Sequence, residues 1–274
     1  MRRLVVCLAC CSAAAIAVAE ERDAPAAAPG AGYNVAVLLF DTLRADHLGC
    51  YGYAPAHSPA FDRLAEEGIR FHHAYSASSY TREAVATLFT GEWPSQGGHD
   101  GWWVSPAPER TTMAEAYKAA DYRTGLFSNS PLLRLEGFHA GFDEVDVVGG
   151  GWAVSQRANR LNDNALVFTQ AAAEAQEPFF VYLHYLDPHG PYEPLPEFRA
   201  LFDTPEAEDP LHIYRDVRNR ARALEAPWFD RAHPRMQDVI ARYDAEIAYV
   251  YHFLQLFLDG LAEQGQLENT VIVL

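Results

Sequence analysis

Two kinds of hydrophobic pattern alternate along the chain and predict its secondary structure. Short apolar runs without alternating polar residues are typical of strands that are buried on both faces of a parallel sheet. Apolar residues at helical spacing are typical of the helices that cover such a sheet. Strands are predicted at 35–40, 122–127, 178–184 and 269–274, and helices from about 59 and 82 and at 111–120, 158–173 and 236–264. This alternation predicts an α/β domain over residues 33–274, with a mostly parallel central sheet sandwiched by helices.

The first predicted strand ends directly at a carboxylate. Asp41 follows the apolar run 35–40, so its side chain is expected at the carboxyl end of a central strand. Open α/β sheets gather their ligands at that edge. A lone Asp at such a place more often caps the next turn, so ligand binding is one of two interpretations of Asp41.

A threonine begins the second predicted helix. Thr81 precedes helical spacing that starts at about Arg82 and stops at Gly91. The free N–H groups and the positive dipole end of a helix N-terminus favour an anion. A hydroxyl group there can attack a phosphate or sulfate that these groups hold. The alternative interpretation is that Thr81 is a plain N-cap.

Two histidines follow the predicted strand 178–184. The strand ends in His184, and His189 comes five residues later, between prolines at 188 and 191. Imidazoles at the carboxyl end of a strand suit proton transfer or metal binding. A histidine on its own more often has a structural role.

The net charge disfavours some partners, and the N-terminal pattern suggests a cellular location. The formal net charge of −16 disfavours nucleic acid and anionic membranes as partners. Residues 1–19 have the basic start, apolar run and small-residue end of a signal peptide, and 20–32 resemble a flexible leader. We therefore expect a secreted or periplasmic protein without an integral membrane segment after cleavage. A lipoprotein signal ending at Cys10 or Cys11 is disfavoured because the apolar run before them is short.

The polar motifs resemble those of the sulfatase family, within the alkaline phosphatase superfamily. Residues 41–52 are similar to the family pattern D-[DT]-x-R-x-D-x-x-x-x-Y-G, and residues 184–192 to H-x-x-D-P-H-x-P-Y. Residues 57–68 are similar to T-P-N-L-D-R-L-A-x-E-G, and the resemblance extends from about Asn34 to Leu274. It implies a divalent metal held by Asp41 and Thr42, with Ca²⁺ expected first and Zn²⁺, Mg²⁺ or Mn²⁺ as alternatives. It also implies a catalytic His189 near the leaving-group oxygen, with His184 in support.

The resemblance places Thr81 at the nucleophile position. Most sulfatases carry there, in C/S-x-P-S-R-A-S-L-L-T-G, a Cys or Ser that is oxidised to formylglycine. Thr is not a known substrate for that conversion, so formylglycine is not expected. Nucleotide pyrophosphatases and phosphoethanolamine transferases of the same superfamily use Thr itself as the nucleophile. A register with Ser78 as the nucleophile breaks the second half of the motif.

Two further parts of the family site depart from the pattern. The family's G-K-W-H-x-G, whose Lys and His contact sulfate, is replaced by the residues at 128–131, Ser-Asn-Ser-Pro. Asn129 is the candidate substrate-binding residue there, and a turn is the alternative role of these four residues. The family's distal metal ligands, in S-D-H-G or D-N-G, are expected after Leu274, where they would complete the site.

Three functions follow as hypotheses. The first is a metal-dependent hydrolase of sulfate or phosphate esters of a small molecule, glycan or lipid, with Thr81 as the nucleophile. The second is a phospho-transferase resembling the phosphoethanolamine transferases, which passes a threonyl intermediate to an alcohol. The third is a catalytically inactive fragment or binding domain.

Overall fold

A five-stranded parallel sheet forms the centre of the computed structural model, which describes residues 32–98, 101, 104–148, 158–205 and 230–274. The strand order is β3-β2-β4-β1-β5, and every pairing is parallel. The strands are β1 (Asn34–Phe40), β2 (Arg123–Ser128), β3 (Glu144–Val147), β4 (Phe179–Tyr185) and β5 (Thr270–Val273). The prediction of a mostly parallel α/β fold is therefore confirmed.

The five longer helices among the described residues agree with the predicted segments, and two short helices add to them. They are α1 (Pro59–Glu67), α2 (Thr81–Thr90), α3 (Pro94–Gly97), α4 (Met113–Ala119), α5 (Ala158–Ala175), α6 (Pro196–Arg199) and α7 (Pro234–Glu263). The short α3 and α6 and the strand β3 were not predicted. β3 is an edge strand, and two of its four residues are exposed, so it has no apolar run to mark it.

The burial of the central strand β4 shows why its sequence is so apolar. All seven of its residues are buried. Val181 and Leu183 belong to the core cluster formed with α1, α5 and α7. Phe180 and Tyr182 belong to the second cluster, which includes residues of α2 and α4. Both faces of the sheet are therefore covered, and a strand in this position has no solvent side that would favour polar residues.

The register of the strands decides which loops meet. Leu39 of β1 and Ser128 of β2 both pair with His184 of β4. Because the three strands are parallel and end level with one another, the residues that follow them lie at one edge of the sheet. Asp41, Asn129 and the loop after β4 therefore share that edge.

Some predictions fall where the structure gives no description. The signal peptide at 1–19 and nearly all of the leader at 20–32 lie outside the described residues. Within the described part of the chain, no helix is both long enough and apolar enough to span a bilayer.

Candidate active site at the carboxyl edge of the sheet

Asp41 is the centre of the hydrogen-bonded cluster at this edge. Its backbone N–H donates to the carbonyl of Tyr185 at 2.9 Å, which fixes the end of β1 against the end of β4. The buried carboxylate accepts from Thr81 Oγ1, which lies 3.1 Å from Oδ2 and 3.4 Å from Oδ1. His184 Nε2 lies 3.4 Å from the same Oδ2. The carboxylate is thus occupied by side chains, and no contact supports its interpretation as a turn cap.

Asp41 stays ionised despite its burial. Burial by itself would raise the pKa of Asp41 because a charge is poorly solvated in the interior. The hydrogen bond from His184, the electrostatic attraction of the His184 and His189 rings, and the hydrogen bond from Thr81 oppose that effect. Together they hold the pKa of Asp41 below its ordinary value. The site therefore presents a negative carboxylate that accepts hydrogen bonds at neutral pH.

The ring of His184 is held in one tautomer by its two neighbours. Its side chain is fully buried, and its Nδ1 lies 3.1 Å from the hydroxyl of Tyr182. Burial and the charge of Asp41 raise the pKa of Tyr182 well above its usual range, so the phenol keeps its proton. The phenol donates to Nδ1, which leaves Nε2–H to donate to Asp41. Tyr182 thus orients a ring that supports the carboxylate.

A hydrogen bond within its own loop fixes which nitrogen of the His189 ring carries a proton. Its Nδ1 lies 2.7 Å from the carbonyl oxygen of Gly190. A carbonyl only accepts, so Nδ1 carries the proton and Nε2 is the nitrogen that gains or loses one. The side chain is half-buried, and its charge acts on Asp41. His189 therefore lies near the Asp41 cluster, with Nε2 as the nitrogen that can exchange a proton.

Thr81 is the first residue of α2 and not its N-cap, which is Tyr80. The alternative interpretation of Thr81 as a plain N-cap is therefore wrong, and its hydroxyl bonds Asp41 instead. The start of α2 is fixed by Glu83, which was not predicted as a site residue. Its Oε1 accepts from the N–H of Gly101 at 2.6 Å, and its Oε2 accepts from the hydroxyl of Ser78 at 2.5 Å. An acidic residue in the first turn of a helix is the sequence signal that marks it.

The side chain of Asn129 has one atom that forms a hydrogen bond and one buried donor that does not. Its Oδ1 accepts a hydrogen bond from the backbone N–H of Leu186 at 2.6 Å. The backbone N–H of Asn129 donates to the carbonyl of His184 at 3.2 Å. Its Nδ2 is buried and has no hydrogen-bond partner among the described residues. The hydroxyl of Ser130 is in the same condition. Buried donors are normally satisfied, so these atoms are candidates to bind a ligand oxygen.

Thr42 is next to Asp41 but has a different environment. It is exposed, with a φ of 57°, and no contact with the Asp41 carboxylate is seen for its side chain. Its carbonyl accepts from the hydroxyl of Tyr243 at 2.8 Å, and that hydroxyl accepts from the N–H of Arg44 at 2.9 Å. The helix α7 thereby shapes the loop after β1. Its role in the site was missed because the helical spacing of its apolar residues predicted packing alone.

The metal expectation finds partial support in the donor set. Asp41 and Thr81 offer the hard oxygen ligands that Ca²⁺ and Mg²⁺ prefer. However, no three His, Cys, Asp or Glu side chains of the described residues are grouped to hold a metal. A Ca²⁺ ion takes six or more oxygen ligands, so Asp41 fits as one ligand of such a site and not as a complete site.

Comparisons with known proteins agree on one family. The family model described as Sulfatase matches residues 33–274. The uncharacterized sulfatase YidJ of Escherichia coli is 28% identical, over 58% of this chain and 39% of its own length. The N-acetylglucosamine-6-O-sulfatase of Bacteroides thetaiotaomicron is 22% identical, over 69% of this chain and 37% of its own length. The phosphonate monoester hydrolase of Agrobacterium radiobacter has a TM-score of 0.66 at 19% identity, covering 88% of this chain and 61% of that structure. The chain thus spans about two fifths of the length of these two curated relatives.

Proposed function

The chain belongs to the sulfatase family, and we propose that the protein hydrolyses sulfate or phosphate esters with Thr81 as the nucleophile. The observation that carries the proposal is the contact of the Thr81 hydroxyl with the buried Asp41 carboxylate, 3.1 Å away, at the start of a helix. A nucleophile requires a group that takes its proton and a place where the attacked anion is held. Asp41 is suited to the first task, and the N-terminal N–H groups of α2 to the second.

In the proposed first step, Thr81 Oγ attacks the sulfur or phosphorus atom and its proton passes towards Asp41. The bond from sulfur or phosphorus to the leaving oxygen breaks as the new bond to Oγ forms. His189 Nε2 gives its proton to the leaving oxygen, so the product is a neutral alcohol. The hydrogen bond between Nδ1 and Gly190 O supports this role, because it keeps the ring oriented in both protonation states.

In the second step, water replaces the threonyl group. His189, now neutral, takes a proton from the water as the water attacks the covalent ester. Thr81 leaves with the proton held near Asp41 and is regenerated. His184 does not react in this scheme. It supports the negative charge of Asp41 through Nε2, and Tyr182 holds its ring in the required tautomer.

We include a divalent metal in the proposal, with Asp41 as one ligand and Thr42 as a further candidate. When bound, such an ion would polarise the ester and lower the pKa of the Thr81 hydroxyl. Ca²⁺ is the expected ion, and Zn²⁺, Mg²⁺ and Mn²⁺ are alternatives. The formylglycine cofactor is not part of the proposal, because Thr81 occupies the position at which it would form. The buried Nδ2 of Asn129 is proposed to bind an oxygen of the substrate.

The proposed substrates are esters of glycans or small molecules, in a secreted or periplasmic protein. One curated relative is an N-acetylglucosamine-6-O-sulfatase, and another is an arylsulfatase from Clostridium perfringens. The N-terminal 19 residues carry the proposal on localisation, through their signal-like pattern.

The proposal is tested with aryl sulfate, aryl phosphate and aryl phosphonate esters, each with and without a chelator and added metal. The key variant is Thr81→Val, which has nearly the same shape but no hydroxyl. We expect it to lower kcat by about a millionfold, the order of magnitude seen when a catalytic nucleophile is removed. Thr81→Ser should keep a large part of the activity. Thr90→Val is the matched control, because Thr90 ends the same helix and its hydroxyl bonds only local backbone groups.

A covalent intermediate provides the second readout. Acid-quenched protein should carry one sulfo or phospho group on Thr81, located by peptide mass spectrometry, and Thr81→Val should carry none. Transfer of that group to an added alcohol in preference to water would favour the phospho-transferase hypothesis. An unchanged rate in Thr81→Val would refute the nucleophile assignment. Absence of turnover with all three esters, with metal present, would favour an inactive binding domain.

A further inference from the structure

Two buried carboxyl groups meet beside the loop that carries His189. Asp187 follows β4 and is 1% exposed, and Glu246 lies on α7 and is 2% exposed. Their carboxyl groups lie within hydrogen-bonding reach of each other. Two ionised carboxylates have only acceptor atoms, so a hydrogen bond between them requires that one of the two groups keeps its proton. The pair therefore holds one shared proton in the folded protein.

Glu246 also binds the other side of the same loop. Its Oε1 accepts the backbone N–H of Glu193 at 3.0 Å. His189 lies between Asp187 and Glu193, so a single side chain of α7 fastens the loop on both sides of this histidine. One turn earlier on α7, the ring of Tyr243 packs against that of Tyr192, with centroids 5.4 Å apart. Glu246 and its neighbour Tyr243 thus both hold the loop to α7.

We propose that Asp187 and Glu246 form a proton-sharing pair that positions His189 for proton transfer to the substrate. The role of His189 in this inference rests on the proposed function, whereas the shared proton does not. Asp187 and Glu246 are positioning residues, because they act through the loop and do not touch the reacting atoms. Loss of the proton would place two like charges in a buried site and break the bond between the two carboxyl groups.

The groups around the pair support a proton that is kept to mildly alkaline pH. Burial, followed by the negative charge of Asp187, raises the pKa of Glu246 to about 8. The N–H of Glu193 opposes the rise, while the hydrogen bond to Asp187 and the charge of the Glu193 side chain add to it. Tyr249, one turn further along α7, is neutral because burial and the charge of Asp187 raise its pKa. The backbone of Ala158 at the start of α5 is its hydrogen-bond partner and carries no charge.

The test uses a variant that copies the protonated state. Glu246→Gln has the same shape, and its amide donates to Asp187 while its Oε1 accepts from Glu193, at every pH. Glu263→Gln is the matched control, since Glu263 lies on the same helix but is exposed. Both variants should fold, and their circular dichroism should match that of the parent protein.

The shared proton is measured without any substrate. The intact protein is labelled with ¹⁵N-glutamate, and the amide proton of Glu193 is followed by NMR through pH, because it points at Glu246 Oε1. In the parent protein and in Glu263→Gln this signal should move with a midpoint near pH 8, and in Glu246→Gln that movement should disappear. A parent midpoint near 4.5, the ordinary value for Glu, would overturn the proposal. So would a signal that moves equally in Glu246→Gln.

The link to His189 is measured by the pH profile of hydrolysis. The parent protein and Glu263→Gln should lose kcat as pH rises through about 8. One pH unit above that midpoint, the kcat of Glu246→Gln should be about tenfold higher than that of the parent protein, each relative to its own value at neutral pH. An identical alkaline limb in Glu246→Gln would refute the positioning role. If no ester is turned over, the proposed function fails while the NMR titration still decides the shared proton.

A second variant covers a failure of Glu246→Gln to fold. Asp187→Asn removes one charge and gives Glu246 an amide donor in place of a carboxyl group. The midpoint of the Glu193 signal should then fall below that of the parent protein, since the like charge that raises the pKa of Glu246 is gone. An unchanged midpoint in Asp187→Asn would refute the pairing of these two carboxyl groups.

Discussion

His184 accepts a hydrogen bond from Tyr182 and donates one to Asp41, so the chemistry of the site depends on single atoms. Among the described residues, the phenol of Tyr182 is the hydrogen-bond partner of His184 Nδ1. Without that donor, the ring could take its proton on Nδ1 and would no longer support Asp41 through Nε2. The order of donors along this chain of three side chains is therefore a property that substitutions can test.

Tyr182→Phe removes that donor while keeping the ring. The ring of Tyr182 packs against Phe89 with centroids 4.9 Å apart, and phenylalanine preserves this contact. We expect kcat/KM to fall by about tenfold, and the free energy of unfolding to fall by about 1 kcal/mol, from the lost hydrogen bond. Tyr185→Phe is the control, because its hydroxyl bonds Asn162 at 2.6 Å, away from Asp41. It should lose stability alone, and equal rate losses in both variants would contradict the argument.

Asn129 separates structural and ligand-binding roles within one side chain. Asn129→Ala leaves the buried N–H of Leu186 without its acceptor and should lower the free energy of unfolding by about 1–3 kcal/mol, measured in urea. Asn129→Asp keeps the acceptor but replaces the buried Nδ2 donor with an oxygen, so it should mainly raise KM for an anionic ester. Ser130→Ala should leave stability unchanged, since that hydroxyl has no partner among the described residues. A stability loss there as large as that of Asn129→Ala would refute this assignment.

At the scale of elements, the apolar pattern predicts the strands that are covered on both faces and misses the partly exposed edge strand. The buried runs of β1 and β4 have no polar alternation, so they were predicted to within a residue or two. The edge strand β3 has exposed positions and was not predicted. The meeting of Asp41 with His184 could be predicted, since both residues end neighbouring parallel strands. The contact of Asp41 with Thr81 does not follow from the strand and helix patterns, which say nothing about how α2 packs against β1; only the resemblance of the motifs assigns both residues to one site.

The polar residues of α7 show a second limit of the sequence pattern. Tyr243, Asp244 and Glu246 lie within about one turn of a helix whose apolar spacing predicts packing only. Their partners lie about 50 to 200 residues away in sequence, and only the three-dimensional arrangement identifies them. Asp244, for example, binds His47 Nδ1 and the hydroxyl of Tyr53, each at 2.6 Å. α7 thus organises both loops that carry the candidate site.

Tyr243→Phe tests the hold of α7 on the loop after β1. The hydroxyl of Tyr243 accepts from Arg44 N–H and donates to the carbonyl of Thr42, so its removal frees both backbone groups. We expect faster amide hydrogen exchange at 42–44 and a loss of about 1–2 kcal/mol in the free energy of unfolding. Tyr251→Phe on the same helix should change neither. Unaltered exchange at Arg44 in Tyr243→Phe would show that the loop is held by other contacts.

The carboxyl pair of α7 also predicts how stability changes with pH. Glu246 keeps its proton in the folded protein up to about pH 8, but an unfolded chain releases it near 4.5. Unfolding between these values therefore releases a proton, and the free energy of unfolding should fall by about 1.4 kcal/mol per pH unit through this group. The contribution is complete below 4.5 and is lost as pH rises to 8. Urea denaturation of Glu246→Gln should show a flatter decline over this range, and parallel curves for parent and variant would contradict the prediction.

At the scale of the whole molecule, the strand order and the net charge act in opposite directions on an anionic substrate. The order β3-β2-β4-β1-β5 brings the loops after β1, β2 and β4 to one edge, where helix N–H groups favour an anion. The chain as a whole carries a formal charge of −16, which repels that anion at long range. Local attraction acts at contact, whereas repulsion acts over a distance that salt controls, so the two can be separated experimentally.

Salt should therefore speed the capture of substrate. The Debye length shortens from about 30 Å at 0.01 M salt to about 8 Å at 0.15 M, which screens the repulsion but not the buried contacts. We expect kcat/KM to rise by about two- to fivefold over this range while kcat stays constant. The rise should be steeper for a dianionic aryl phosphate than for a monoanionic aryl sulfate, which makes the pair of substrates its own control. A fall in kcat/KM with salt would mean that local positive potential at the sheet edge outweighs the net charge, and that the N-terminus of α2 attracts the ester from a distance as well as at contact.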